Sequence, residues 1–395
     1  MSPKWKNITF GAELEFMTPV PQHYLSSTSS PAAAARYHIA KVFADRTSLP
    51  TAIDCSHGND EHCTVCFELP KNKVIKGTGY INPGLLTECF LFKQEHLFLR
   101  NRINQERLWP GVEMCTPVFK VGELDSGLPT MKTAFKTLRN SGIDISADQS
   151  CGLHVHVGVT YGMDLQFAKK VSTLVVLLEN SLLLPLVPRY RAAGTYAQPV
   201  SKESAAAYLD GIPSAAFSAF EKHVPEESTF IPGTWNRDDP NAFFKMLQII
   251  WSAADLKTLS RSLRIRKITR CGFAICLRKH NGDRPSYFDN DFESTPSTFE
   301  FRYSQMTFDH VTLRNWVEVV ARIVSLAQAD EGEYKSLAEM IIGVNHEAGD
   351  DAWKVLLQKI GLGERIPDWE AQRAMFARGV TIAHLDDKLF LKADI

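Results

Sequence analysis

The sequence predicts an α+β protein in which short strands carry polar motifs on one sheet face and helices cover the other. Three observations lead there. Five short segments, GAELEF (11–16), IDCS (53–56), GVEMCTP (111–117), CGLHVHVG (151–158) and TFEFR (298–302), alternate acid, imidazole or guanidinium groups with apolar ones. Side chains at i and i+2 of a strand share a face. Glu13 with Glu15, His154 with His156, and Glu300 with Arg302 therefore pair on one side, while Leu14, Val155 and Phe301 point to the other. Between these segments, and throughout the last quarter of the chain, apolar residues recur at helical spacing.

The elements follow in order. Residues 7–17 read as the first strand, followed by a Ser/Thr/Pro loop over 19–31. Residues 32–45 form a helix with Tyr37, Ile39, Val42 and Phe43 as its apolar positions. Residues 50–110 hold short strand candidates, a Gly-rich turn at 76–79 and a charged, Phe-rich stretch over 90–109. The second motif strand is 111–119. A helix over 129–140 has Pro129 at its start and Gly142 just past its end, the usual asymmetry. The third motif strand is 150–160, and a long helix over 165–184 stops near Pro185 and Pro188. Residues 195–240 are loop-rich, 241–260 helical, and 274–277 and 297–303 are strands flanking a polar Gly/Asp/Pro loop. Helices over 313–326, 333–342, 353–360 and 369–378 complete the chain, which has no internal repeat.

Composition excludes some partners. The chain has 395 residues, 44% hydrophobic and 23% charged, with a formal net charge of −1. That balance gives no electrostatic case for nucleic acid or a membrane surface. The N-terminus lacks an apolar signal core, so no secretory signal is expected. The apolar run 171–187 is interrupted by Glu179, Asn180 and Pro185 and reads as a buried helix, not a membrane span. The 8 cysteines are expected to be reduced thiols in a cytoplasmic protein.

Each motif alone admits a plain reading. An E-x-E strand is commonly a solvated edge, an H-x-H a pair of packed histidines, and Glu300–Arg302 a simple ion pair. Yet Phe10, Leu14, Phe16 and Val20 give the first strand a core side, and Gly11 would permit close backbone approach. Like charges at i and i+2 repel unless a cation lies between them. Together, an oxygen-rich set with one or two imidazoles favours Mg²⁺ or Mn²⁺ over zinc.

In this order the motifs G-x-E-x-E, G-V-E-x-x-[ST]-P, C-G-x-H-V-H-V-G and T-x-E-F-R, with an Arg-Tyr-Arg segment between the last two, resemble the amidoligase family. That family belongs to the glutamine synthetase and glutamate–cysteine ligase superfamily, and the resemblance covers about residues 8–320. It implies a glutamine synthetase-like curved antiparallel sheet with helices on the convex face and the active site on the concave one. The implied activity joins a small-molecule carboxylic acid to an amine through an acyl phosphate, using ATP and Mg²⁺. Carried over by residue, it implies metal ligation by Glu13, Glu15, Glu113, His154 and Glu300, with Glu15 also near the nucleotide. His156 would lie closer to the nucleotide phosphates, and Arg302 would steady the transferred phosphoryl group. Arg189 and Tyr196, in VPRYR…Y (187–196), match substrate-contacting positions more loosely, as do Asp54 and Ser56 at the substrate or metal edge. The organisation expected is a catalytic domain over 1–320, with variable substrate loops at 55–110 and 195–240, and a C-terminal helical extension over 321–395 packed on the same domain.

The physical chemistry agrees. Phosphoryl transfer to a carboxylate brings two anions together, which cations must neutralise. Arg302 can donate two hydrogen bonds to phosphate, and an acyl phosphate must be kept from water. There is no P-loop, G-x-G-x-x-G or G-x-S-x-G. CSHGNDEHCTVC (55–66) departs from the family pattern; Cys63 and Cys66 with nearby histidines are either a structural zinc site or buried thiols. Cys115 and Cys151, beside motif strands, are expected to pack. The basic run Arg261, Arg264, Arg266, Lys267 and Arg270 is either a solvated helix face or a cationic wall for nucleotide or an acidic substrate. Two rival functions remain: a metal-dependent hydrolase using the same His/Glu set, and a non-catalytic binding protein. Oligomeric state is open.

Overall fold

Strand β1 (Ile8–Met17) is the spine of the structure, and its alternation explains why. Ile8, Phe10, Ala12, Leu14 and Phe16 are buried on one face, and Thr9, Gly11, Glu13 and Glu15 occupy the other. The computed structural model describes residues 5–20, 31–55, 74–76, 87–95, 108–147, 150–195, 197–208, 217–230, 242–277 and 297–378. Around β1 lie β2 (Thr51–Cys55), β3 (Val74–Lys76), β4 (Phe90–Glu95), β5 (Gly111–Cys115), β6 (Phe119–Lys120) and β7 (Leu153–Val159). A small hairpin, β8 (Arg264–Ile265) with β9 (Thr269–Arg270), precedes β10 (Phe273–Cys276) and β11 (Thr298–Phe301).

The main sheet runs β10–β11–β7–β1–β5–β4–β2–β3, with β6 also on β1. It is mixed but largely antiparallel: among the described residues only β2 with β3 and β2 with β4 are parallel. The protein is thus α+β, as its alternating and helical segments predict. The second motif strand is not continuous over 111–119. Pro117 has no N–H to give, so the ladder breaks between β5 and β6. Thr116 bridges the gap: its N–H donates to Ala12 O at 2.8 Å, and its Oγ1 accepts from Ala12 N–H at 2.9 Å.

Helices pack on the apolar face. Helix α1 (Pro31–Arg46) sets Phe43 against Phe90 and Phe92 of β4, at ring centroid separations of 5.4 and 5.5 Å. Helix α2 (Pro129–Arg139) begins on its proline, as expected. The long helix over 165–184 divides: α3 (Leu165–Leu178) is followed by a π turn over Glu179–Leu183, a form that recurs at functional sites. The helix over 241–260 also divides, into α4 (Ala242–Ser252) and α5 (Leu256–Ser262), because the Asp255 carboxylate caps the second by accepting from Thr258 N–H at 2.6 Å.

Helices α6 (His310–Leu326), α7 (Glu331–Glu347), α8 (Ala352–Lys359) and α9 (Ile366–Ala377) end the described chain. One hydrophobic cluster joins Trp353 and Trp369 of the last helices to Leu14 and Val155 of the sheet. The division at 320 between the expected catalytic part and its helical extension falls inside α6. Among the described residues no helix is long and apolar enough to cross a membrane.

Candidate functional site

Register brings the motif residues together. Glu13 lies opposite His154 of β7 on one side and Cys115 of β5 on the other. Glu15 faces Glu113, which faces Lys93 of β4. Glu300 of β11 faces His156, which faces Gly11. Seven of the residues singled out from sequence (Glu13, Glu15, Glu113, His154, His156, Glu300 and Arg302) therefore meet on one face of four adjacent strands.

Glu13 is the hub. Its Oε2 is 3.4 Å from His154 Nδ1 and its Oε1 is 3.4 Å from His156 Nε2. Glu300 Oε1 lies 3.8 Å from His154 Nδ1 and 3.9 Å from His156 Nε2. Glu15 Oε1 is 3.4 Å from His154 Nε2, while its Oε2 accepts from Gly152 N–H at 2.6 Å. The His156 Nδ1 lies 3.0 Å from Thr298 Oγ1, an arrangement that orients the ring. The Nε2 atoms of both histidines are buried with no hydrogen-bond partner among the described residues. Ligand atoms from Glu13, His154 and Glu300, from Glu13, Glu113 and Cys115, and from Glu15, Glu95 and Glu113 each fall within 4.8 Å of one another.

Cations are interleaved with these acids. Arg302 Nη1 donates to Glu300 Oε1 at 2.5 Å, and Arg270 Nη1 to Glu300 Oε2 at 2.7 Å. Lys93 Nζ is 2.5 Å from Glu113 Oε1 and 3.7 Å from Glu13 Oε1. Burial opposes charge on every one of these acids, and neighbours decide the outcome. Against burial, His156 and Lys93 hold Glu13 well below the usual carboxylate range. Likewise Arg302 and Arg270 overcome burial at Glu300 and lower it strongly. At Glu15 burial wins, reinforced by Glu95, and its carboxyl is raised to about 8. Burial and then the charge of Glu13 push Glu113 to about 7 despite Lys93. Burial, with Arg302 beside it, lowers His154 to about 4, so this imidazole is neutral at pH 7 and free to ligate.

Two expectations are corrected. Arg189 is exposed, and the buried arginine at the site is Arg191. Residues 189–192 form a helical turn, on which i and i+2 point to opposite sides. Arg191 Nη1 reaches Ser150 O at 3.4 Å and its Nη2 reaches Arg302 O at 3.3 Å. The tight backbone approach is not at Gly11, where an added Cβ would meet atoms at 3.5 Å, but at Gly152. There a Cβ would sit 2.5 Å from Arg191 Nη2 and 2.6 Å from His154 Nε2.

Other residues divide as follows. The basic run is neither a helix face nor a continuous wall. It turns through the β8–β9 hairpin on Arg266 and Lys267, both at positive φ, and delivers only Arg270 to Glu300. Cys151 packs in the core, and Cys115, on the polar side of β5, packs against Ala52, Cys89 and Leu91 while its thiol donates to Glu113 Oε1 at 2.8 Å. Asp54 lies in β2, paired with Ile75, and only its backbone is described. Ser56, Tyr196, Cys63 and Cys66 lie outside the described residues, as do much of 55–110 and 195–240.

Sequence reasoning missed Lys93, Glu95 and Arg191. The signal for the first two is the alternation in FLFKQE (90–95), where Phe90 and Phe92 mark the core side and so place Lys93 and Glu95 on the other. Scanned against protein-family models and against curated proteins, the chain finds no match in either.

Proposed function

We propose that the chain is an ATP-dependent carboxylate–amine ligase that holds Mg²⁺, or Mn²⁺, on the face formed by β11, β7, β1 and β5. The proposal includes a glutamine synthetase-like sheet with this face as its concave side; the strand order and largely antiparallel pairing are compatible with it. The observation that supports the reading is the convergence of Glu13, Glu15, Glu113, His154, His156, Glu300 and Arg302 on four adjacent strands.

The residues fit divalent cations. Glu15 directly opposes Glu113, and two carboxylates so placed hold protons that a cation can displace. Among the described residues two buried imidazole Nε2 atoms make no hydrogen bond, each with a carboxylate at 3.4 Å, and the remaining donors are mostly carboxylate oxygens, the preference of Mg²⁺ and Mn²⁺. Glu13, Glu15, Glu113, His154 and Glu300 would hold the ions, which when bound neutralise the polyphosphate and the acid as they approach.

The chain's own residues supply the rest. Arg302 is braced by Glu300 on one nitrogen, leaving others to donate to the transferred phosphoryl group. Arg270, Lys93 and Arg191 add positive charge around the same face and favour bound anions. The attacking amine must lose a proton, and the carboxylate row Glu95, Glu15 and Glu113 offers acceptors for it.

The test is phosphate release from ATP with Mg²⁺, measured against a panel of amino acids and amines, with amide product followed by mass spectrometry. Glu13→Gln and Glu300→Gln are each expected to abolish ATP-dependent amide formation without unfolding the protein. Full activity in either variant removes the metal-face assignment. Turnover without nucleotide would instead favour a metal-dependent hydrolase built on His154 and His156.

A further inference from the structure

A cavity of about 310 Å³ is built on the helical layer and shares no lining residue with the metal-ligand groups of the sheet face. Arg314, Glu318 and Arg322 of α6 recur every four residues and so line it from one side of that helix. Trp5, Asp125, Glu364 and Arg365 complete the polar lining. Three guanidiniums and three carboxylates line the space, but they are unequally matched. Arg365 Nε donates to Glu318 Oε2 at 2.7 Å, and its Nη2 lies 3.2 Å from Glu364 Oε1. The Trp5 indole N–H donates to Asp125 Oδ1 at 3.0 Å. Every carboxylate thus already accepts from a neighbour.

Arg314 and Arg322 have no such partner. Among the described residues neither has a carboxylate within 4.0 Å, and the Nε of each is buried without a hydrogen bond. Arg322 lies over the Trp5 ring at 4.3 Å, a contact that fixes the guanidinium and leaves its edge donors for another acceptor. Both side chains are partly exposed and Glu318 and Asp125 attract the Arg322 guanidinium at longer range, but a buried Nε donor without an acceptor is costly. Two planar forks beside a cavity large enough for a small molecule match acidic oxygens best.

We propose that this cavity binds a small dianion, a phosphate or a dicarboxylate, through Arg314 and Arg322. The site is independent of the ligase reading. Trp5 runs through a short 3₁₀ turn directly into β1, so the anion would rest against the start of the strand that carries Glu13 and Glu15.

The test is isothermal titration of the full chain with inorganic phosphate and, separately, with malonate. One or both should bind, and the preferred probe identifies the ligand class. Arg314→Met and Arg322→Met should each weaken binding by about tenfold or more. Arg322→Lys keeps a cation over Trp5 and guards against a folding defect; it should weaken binding less than Arg322→Met. Lys136→Met, exposed on α2 and outside the cavity, should leave the affinity unchanged. The proposal is overturned if neither probe binds, if both methionine variants at 314 and 322 bind normally, or if Lys136→Met loses the anion as well.

Discussion

Arg191 and Arg189 show how finely the site is set at the scale of one residue. The two share chemistry and lie two positions apart, yet one is buried against Ser150 O and Arg302 O and the other is exposed. Arg191→Met leaves those carbonyls without their donor and removes a cation near Glu15, and should destabilise by about 1–3 kcal/mol. Arg189→Met should stay within about 0.5 kcal/mol of wild type. Urea unfolding measures both, and equal losses would mean that the helical turn is not oriented as described. Lys93 illustrates another side of the same scale: it neutralises Glu113 and Glu13 from a strand that has no recognisable motif.

Among elements, the β5–β6 break is the most informative. Its stability depends on the Thr116 hydroxyl replacing a ladder acceptor for Ala12 N–H. Thr116→Val preserves shape but orphans that buried donor, at a cost of about 1–3 kcal/mol, whereas Thr116→Ser should retain most of it. Chemical denaturation of the two variants checks this, and a valine variant as stable as wild type would contradict it.

The same strands show what could be read from sequence. β1, β7 and β11 were legible because alternation with period two survives without context: Phe10, Leu14 and Phe16 mark one face and Glu13 and Glu15 the other. The break at Pro117, the π turn at Glu179 and the cap at Asp255 were not, since each depends on a partner far from it or on a local bond that competes with helix periodicity. Glu179, for one, is fully buried and accepts from Val200 N–H, Ser201 N–H and Tyr303 Oη–H. Read alone, it only interrupts an apolar run.

For the whole molecule, the acids of the sheet face pull stability in two directions with pH. Glu15 and Glu113 have folded pKa values of about 8 and about 7, above the ordinary value near 4.5. The folded state therefore holds their protons more tightly, and their contribution is full below pH 4.5 and lost as pH rises toward 7 and 8. Glu13 and Glu300 are lowered, so their contribution is present above 4.5 and lost on acidification. A cation bound on the face, as proposed, would replace the protons of Glu15 and Glu113. Mg²⁺ should accordingly raise the melting temperature more at pH 8 than at pH 6, as scanning calorimetry would measure. An equal or reversed increment would separate the ion from those two carboxylates.

The order of the strands has a consequence for biosynthesis. Glu13 waits for His154, 141 residues later, and His156 in turn for Thr298, 142 residues further on. None of these pairings is local, so loop-closure entropy must be met before any of them forms, and folding should be slow. On a ribosome the polar face stays open at its β11 edge until residue 301 of 395 has emerged. Until then the edge of β7 offers unpaired backbone groups to any neighbouring nascent chain, which makes the interval before β11 docks the moment of greatest risk of aggregation.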